Sequence, residues 1–204
     1  MTGHFIAFEG GEGSGKSTQA RRLAERLGPP TLLTFEPGDS PLGAEVRRLV
    51  LDSPDLDITE RAEALLMAAD RAQHVAEVIE PALDAGRTVV CDRFAGSSIA
   101  YQGHGRQLPA AEVEQLSRWA TQGRWPDLVV LLEVSPDAAE SRLRRSRDRL
   151  ESAGEAFHHR VHDGFLLQAM EDPDRWAIID GTGSEDEVAD AIWTVVSIRF
   201  PDLA

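Results

Sequence analysis

The sequence predicts an α/β fold in three layers, a five-stranded parallel sheet flanked by helices. Three observations carry this expectation. Short, continuous apolar runs recur along the chain. Amphipathic stretches of helical period separate them, and most runs end in Gly, Pro or Ser just before the next helical stretch. Continuous apolar strands alternating with helices are buried on both faces, which indicates a parallel sheet.

The elements follow in chain order. His4–Glu9 is the first strand and Ser14–Leu27 the first helix. Thr31–Phe35 forms the second strand, followed by helical stretches at Pro41–Leu51 and Thr59–Ala85. Thr59 gives a weak cap signal toward Ala62, and Pro81 is expected to kink or end its helix near Glu80, because proline cannot donate to the preceding turn. Thr88–Asp92 is the third strand, Ala110–Thr121 a helix, Asp127–Val134 the fourth strand and Pro136–Arg145 a helix. Trp176–Asp180 completes the sheet, and Ser184–Phe200 is a helix opened by a capping box between Ser184 and Glu187.

With 204 residues, 42% apolar and 27% charged, the chain suits one domain with a real core and is too apolar for disorder. No repeat, low-complexity tract or linker divides it, so residues 1–204 are read as a single domain. The net charge of -14 disfavours binding a nucleic-acid polymer or an anionic membrane through the overall field. One cysteine, Cys91, excludes an intramolecular disulfide framework. Met1–Glu9 has no basic start and no long apolar stretch, so no secretory signal is expected. The apolar runs, Ala64–Ala69 and Leu128–Leu132 among them, are far short of the ~20 residues a membrane helix needs. A cytoplasmic location is the expectation.

Gly10, Gly11, Glu12, Gly13, Ser14, Gly15, Lys16, Ser17 and Thr18 satisfy G-x-x-x-x-G-K-[ST] between the first strand and the first helix. Glycines let backbone N–H groups converge on phosphate oxygens, and the helix N-terminus adds its dipole. Lys16 is placed to bridge β- and γ-phosphates, and the Ser17 hydroxyl to reach Mg²⁺. Composition adds an independent sign: of 21 basic side chains, all but Lys16 are arginine. The chain keeps its one compact ammonium where this loop requires it. These residues are expected to bind a nucleoside triphosphate.

The loop alone does not name a function. A GTPase switch selects guanine with an Asn/Thr-Lys-x-Asp motif, which a chain without asparagine and with its only lysine in the loop cannot supply. A motor or remodelling ATPase is usually longer. A small kinase remains, and it needs cationic groups on the acceptor side and over the transferring phosphate. Arg142-Leu-Arg-Arg-Ser-Arg-Asp-Arg149 supplies the second set. A charge run is usually a solvated helix face. In so acidic a chain, arginines at this density are better explained as a lid over phosphate, at about residues 142–156.

Asp92-Arg93-Phe94 stands at the C-terminal end of the third strand, the ligand-binding edge of such a sheet. Together with the loop and Glu12, Glu36-Pro37-Gly38, Arg47, Arg71, the run from Ser97-Ser98 to Tyr101-Gln102-Gly103, and the lid with Asp148-Arg149-x-Glu151, it makes the sequence resemble the thymidylate kinase family over essentially its whole length. The resemblance implies the P-loop kinase fold, ATP as co-substrate, Mg²⁺, transfer to dTMP giving dTDP, and a homodimer. It implies catalytic roles for Lys16, Asp92, Arg93 and the lid residues Arg144, Arg145, Arg147 and Arg149. Arg142 and Asp180-Gly181-Thr182 would flank adenine, with Asp92 beside Mg²⁺. Arg71 and Arg93, with Arg47, would hold the acceptor 5′-phosphate, and Glu12 the sugar 3′-hydroxyl. Ser98 and Gln102 would face the base; Glu36, Pro37, Met67, Ser97 and Tyr101 complete the acceptor site. Gly13 stands where one branch of the family carries a catalytic arginine, which matches the branch that takes those charges from its lid.

The sequence departs from that pattern at Met67, where the family commonly has a phenylalanine stacking on thymine, and at Asp39 and Ser40, in place of Gly-Thr. Methionine packs on a pyrimidine more weakly. Asp39 is expected to weaken monophosphate binding unless it points outward or caps the next helix. Glu133 stands where related sequences often have Asp. His158-His159-x-x-His162 lacks the glutamate of a zinc helix and is read as a polar helix face. Cys91 is read as a core thiol, and Trp119, Trp125, Trp176 and Trp193 as core or interface aromatics.

Overall fold

In the computed structural model, residues 3–53, 55–135, 139 and 153–204 are described. Five strands, β1 (Phe5–Glu9), β2 (Leu32–Phe35), β3 (Val89–Asp92), β4 (Leu128–Glu133) and β5 (Trp176–Asp180), form one sheet in the order β2-β3-β1-β4-β5. Every pairing is parallel. The register sets Phe8 against Asp92 and Glu9 against Leu131, so the acidic strand ends and the glycine loop emerge along one edge.

Strand periodicity divides the core. Ile6, Phe8, Val90, Leu128, Val130 and Leu132 pack with Leu23 of α1 (Lys16–Leu27) and with Ile192 and Val196 of the last helix, α8 (Glu185–Arg199). Phe5, Ala7, Val89 and Cys91 face the other way, against Val75, Ile79, Leu83 and Phe94. The thiol of Cys91 is accordingly buried, and burial holds it well above its ordinary titration range.

The remaining helices are α2 (Pro41–Leu51), α3 (Glu60–His74), α4 (Glu80–Asp84), α5 (Ala95–Ser98), α6 (Ala110–Ala120) and α7 (Glu155–Glu171). Both expected caps form: Thr59 Oγ1 accepts from Ala62 N at 3.4 Å, and Ser184 and Glu187 make a complete capping box. Pro81 does not end its helix. Val75–Ile79 widens into a π-turn that joins α3 to α4, so the register change absorbs the donor that proline lacks.

One stretch departs from expectation. Ala95–Gly105 is helical, α5 running into a π-helix at Ile99–Gly105, although its glycines and serines are poor helix formers. Packing against α7 overrides propensity: Phe157, Val161 and Phe165 share a core cluster with Ala100 and Tyr101. Trp119 is 80% exposed and is no core residue, whereas Trp193 stacks under Arg26, 4.2 Å from its ring centre. His158, His159 and His162 lie along α7; His159 faces Glu155 at 3.6 Å and His162 faces Glu133 at 3.7 Å. The expected lid arginines Arg142, Arg144, Arg145, Arg147 and Arg149 lie outside the described residues, as does nearly all of the expected 136–145 helix, while Glu155 and Ala156 already belong to α7. Among the described residues, no helix is long and apolar enough to cross a membrane.

Candidate active site

The turn from β1 into α1 is shaped by backbone that only glycine adopts easily. Gly13 and Gly15 have φ of 72° and 90°, and a Cβ on Gly13 would stand 2.6 Å from the Ala139 carbonyl oxygen. A side chain at position 13 would be strained in this conformation and would require that carbonyl to shift. Lys16 opens α1 and donates from Nζ to the Gly11 carbonyl at 3.0 Å. Burial, together with the neighbouring Arg93, lowers the pKa of its ammonium, while Glu12, Asp92 and Glu9 oppose the shift. No acidic side chain lies in the first turn of α1, so the helix N-terminus is open to an anion.

Next to Lys16 is a cavity of about 220 Å³. Its walls contain Glu12, Glu36, Pro37, Arg47, Met67, Arg71, Arg93, Ser97, Ser98, Tyr101 and Gln102, together with Lys16, Ser17 and Asp92. The chain thus brings together every residue that the resemblance assigned to the acceptor. These come from the loops after β1 and β2, from α2 and α3, and from the segment after β3. Phe35, Leu51, Asp70 and Phe94 also line the cavity and were not foreseen. Phe35 directly adjoins the Glu36 motif, Phe94 closes the Asp92-Arg93-Phe94 motif, and Asp70 directly precedes Arg71; closeness to a motif was the available signal.

The arginines fall into separate groups. Arg93, with φ of 71°, donates to the Gly10 carbonyl at 3.2 Å, Ser97 Oγ at 3.0 Å and Tyr101 Oη at 3.3 Å, and pairs with the Glu12 carboxylate. It ties the acceptor wall to the phosphate loop. Burial works against its charge, but Glu12, Tyr101, Asp92 and Glu9 outweigh it and raise its pKa further. Arg71 is buried elsewhere, donating to Glu36 at 2.9 Å, Ser117 Oγ at 3.3 Å, the Phe94 carbonyl at 3.2 Å and Ser98 Oγ at 3.0 Å. Arg47 donates to the Pro37 carbonyl at 2.8 Å and lies 5.9 Å above the Phe35 ring.

Buried carboxylates hold these groups. Glu9 accepts from Phe94 N at 3.0 Å, Ser97 N at 2.9 Å and Ser97 Oγ at 2.6 Å, anchoring the start of α5; burial pushes its pKa up to about 7. Asp70 Oδ1 accepts from Gly38 N at 3.0 Å. Burial and the charge of Glu36 raise the Asp70 pKa to about 6. Asp39 is not in the cavity wall; it accepts from Thr34 Oγ1, and the cap of α2 is Ser40, whose Oγ accepts from Gly43 N at 3.0 Å. The extra carboxylate is turned away from the cavity.

Asp92 Oδ1 is buried and without a hydrogen-bond partner among the described residues, in the same wall as Ser17 and Lys16. A free carboxylate oxygen beside a hydroxyl is the hard donor set that Mg²⁺ takes, so these residues fit the ion. Gly181, after β5, packs against the phosphate loop: a Cβ there would stand 3.3 Å from the Ser14 carbonyl oxygen. Asp180 Oδ1 accepts from Thr182 N at 2.8 Å and Thr182 Oγ1 at 2.6 Å, closing the turn beside it.

Known proteins share both sequence and fold with this chain. The Thymidylate kinase family profile matches residues 8–192. A thymidylate kinase from Cutibacterium acnes is 50% identical over 195 residues, covering 94% of this chain and 95% of that protein. One from Bifidobacterium longum is 44% identical over 210 residues, covering all of both. The crystal structure of thymidylate kinase from Ehrlichia chaffeensis superposes with a TM-score of 0.79 at 32% identity, covering 97% of this chain and 99% of that one. With the family profile matched over residues 8–192 and a relative 50% identical across 94% of its length, the chain belongs to the thymidylate kinase family.

Proposed function

We propose that this chain transfers the γ-phosphoryl group of ATP to dTMP, giving ADP and dTDP. The observation that carries the reading is the single cavity in which the acceptor residues meet Lys16, Ser17 and Asp92. A 5′-phosphate oxygen of dTMP forms a bond to the γ-phosphorus in line as the bond to the β–γ bridging oxygen breaks, and ADP leaves with that electron pair. The attacking oxygen is already anionic, so no general base is required, and positioning and charge compensation carry the catalysis. Lys16 offsets charge on the β- and γ-phosphates. Mg²⁺ held by the Ser17 hydroxyl and Asp92 Oδ1 supplies charge compensation on the nucleotide when bound. The lid arginines shield the transferring group from water.

On the acceptor side, the separate bonding of the arginines divides the work. Arg93, beside Glu12 and the loop, takes the 5′-phosphate with Arg47, and Glu12 orients the sugar. Arg71 belongs with the base rather than with the phosphate, because it donates to Ser98 at 3.0 Å and to Glu36 at 2.9 Å, whereas Arg93 donates to the Gly10 carbonyl of the phosphate loop at 3.2 Å. The Ser98 oxygen accepts from Arg71 and so keeps its proton to donate; Gln102 commits Nε2 to Glu63 at 2.9 Å, leaving its oxygen to accept. A donor beside an acceptor complements the O4 and N3–H edge of thymine. Phe35, Leu51, Met67 and Phe94 supply apolar wall for the ring and its methyl group.

The Asp180-Gly181-Thr182 turn takes one face of adenine; Arg142, expected at the other face, lies outside the described residues. The enzyme works in the cytoplasm as a homodimer; exposed apolar side chains on α3 and α6, Leu65 at 58% and Trp119 at 80%, support a helical interface. Light scattering reads the mass, with a monomer contradicting that part. A coupled ADP-release assay with dTMP, dUMP, dCMP, dGMP and dAMP tests the substrate. The highest kcat/KM is expected for dTMP, and equal or faster turnover of another monophosphate would sink the assignment.

A further inference from the structure

Behind the acceptor cavity runs a row of hydrogen-bonded side chains whose inner members, Asp39, Thr34 and His74, the reaction above does not use. His74 is wholly buried and ends α3, one turn after Arg71. Its Nδ1 lies 2.9 Å from Glu36 Oε1 and its Nε2 lies 2.6 Å from Thr34 Oγ1. Thr34 Oγ1 donates to Asp39 Oδ2. At the far end, Glu36 Oε2 accepts from Arg71 Nε at 2.9 Å. The row therefore reads Asp39, Thr34, His74, Glu36, Arg71, and its last two members line the cavity.

The donors order it. A threonine hydroxyl has one proton; with that proton given to Asp39, the oxygen can only accept from His74, so Nε2 carries a hydrogen. The Glu36 carboxylate only accepts, so the row requires an imidazolium ring at His74, with both nitrogens donating. Glu36 is then gripped from both sides, by the ring on one oxygen and by Arg71 on the other. A glutamate stem alone has several staggered rotamers; this grip selects one of them. Arg71 in turn reaches Ser98 and the Phe94 carbonyl from a fixed plane.

We propose that His74 is a positioning residue for the acceptor: through Thr34 and Asp39 it locks Glu36, and Glu36 locks Arg71 in the orientation that meets the base. The inference rests on the function proposed above. It gives Asp39 a task as well. A glycine at that position would end the row at Thr34 and free its hydroxyl to point either way.

Steady-state kinetics on the full chain test it. Thr34→Val removes the link between Asp39 and His74, and the KM for dTMP rises about five- to tenfold while kcat stays within about twofold and the KM for ATP is unchanged. Asp39→Gly, on a half-buried side chain that leaves the core intact, gives a smaller rise in the same constant. His74→Gln, which keeps one donor to Glu36, falls between the native chain and His74→Leu. In parallel, ¹⁵N-edited NMR of the ligand-free protein shows two protected imidazole N–H protons for His74, with Nε2–H lost in Thr34→Val. A dTMP KM unchanged in both Thr34→Val and Asp39→Gly overturns the positioning role, and a native ring with only one N–H overturns the row. A native chain that turns over other monophosphates but not dTMP counts against the proposed substrate instead, and the same KM comparison is then made with the monophosphate it accepts.

Discussion

Gln102 Nε2 donates to Glu63 Oε1 at 2.9 Å, and Glu63, wholly buried, also receives Arg106 at 3.1 Å. An amide side chain is two-faced, and this bond decides which face the cavity meets: the oxygen. Gln102→Ala deletes that acceptor while leaving Glu63 paired with Arg106. Its kcat/KM for dTMP should fall about tenfold, the worth of one hydrogen bond in a desolvated site. The KM for ATP should stay at the native value, and competition assays against dCMP should show a narrower preference.

Met67 is nearly buried, at 7% exposure, and stands in the apolar wall. A thioether fills that space but adapts to different rings. Met67→Phe offers a flat face to the base, and the ratio of kcat/KM for dTMP over dUMP should rise about threefold or more, given ~0.5–1.5 kcal/mol for an aromatic pair. An unchanged ratio would clear Met67 of any part in base discrimination.

Asp70 makes stability depend on pH. Folded, its carboxyl is held at about 6 by burial and the charge of Glu36; in the unfolded chain an aspartate titrates near ~4. Between those values the folded protein keeps a proton that the unfolded chain has released. Stability from this group is therefore highest at low pH and is lost as pH rises through about 6. Asp70→Asn keeps an oxygen for Gly38 N and removes the titration. Thermal melts should find the variant gaining on the native protein between pH 4 and 7, by on the order of 2 kcal/mol. A constant difference across that range would contradict the assignment.

Much of this was legible in the sequence because it follows from chemistry local to the chain. The five strands are read from apolar runs, and the phosphate loop from glycine spacing and the lone Lys16. The helix at Ala95–Gly105 was not legible, since its serines and glycines are helical only through contact with α7. The π-turn before Pro81 was hidden for the same reason: neighbouring packing, not local propensity, chose a wider helix over a break. Which residues line the cavity was foreshadowed residue by residue by the family resemblance, but the division between Arg71 and Arg93 was not. It depends on which side chains the sheet and α3 bring within reach, a relationship across more than 20 positions. Asp39 illustrates the reverse case. Its type suggested a penalty on phosphate binding, and only its bond to Thr34 reveals that it faces elsewhere.

The central claim is that Lys16 and the acceptor cavity form one reaction site, and following the label of [γ-³²P]ATP in the presence of dTMP tests it most directly. The native chain should move the label into dTDP. Lys16→Ala, changed at the mouth of a helix whose core contacts remain, should keep its native melting profile and lose transfer by about 10³-fold or more, as expected for a group that offsets charge in the transition state. Label released only as inorganic phosphate by the native chain, or dTDP formed at near-native rate by Lys16→Ala, would contradict the account.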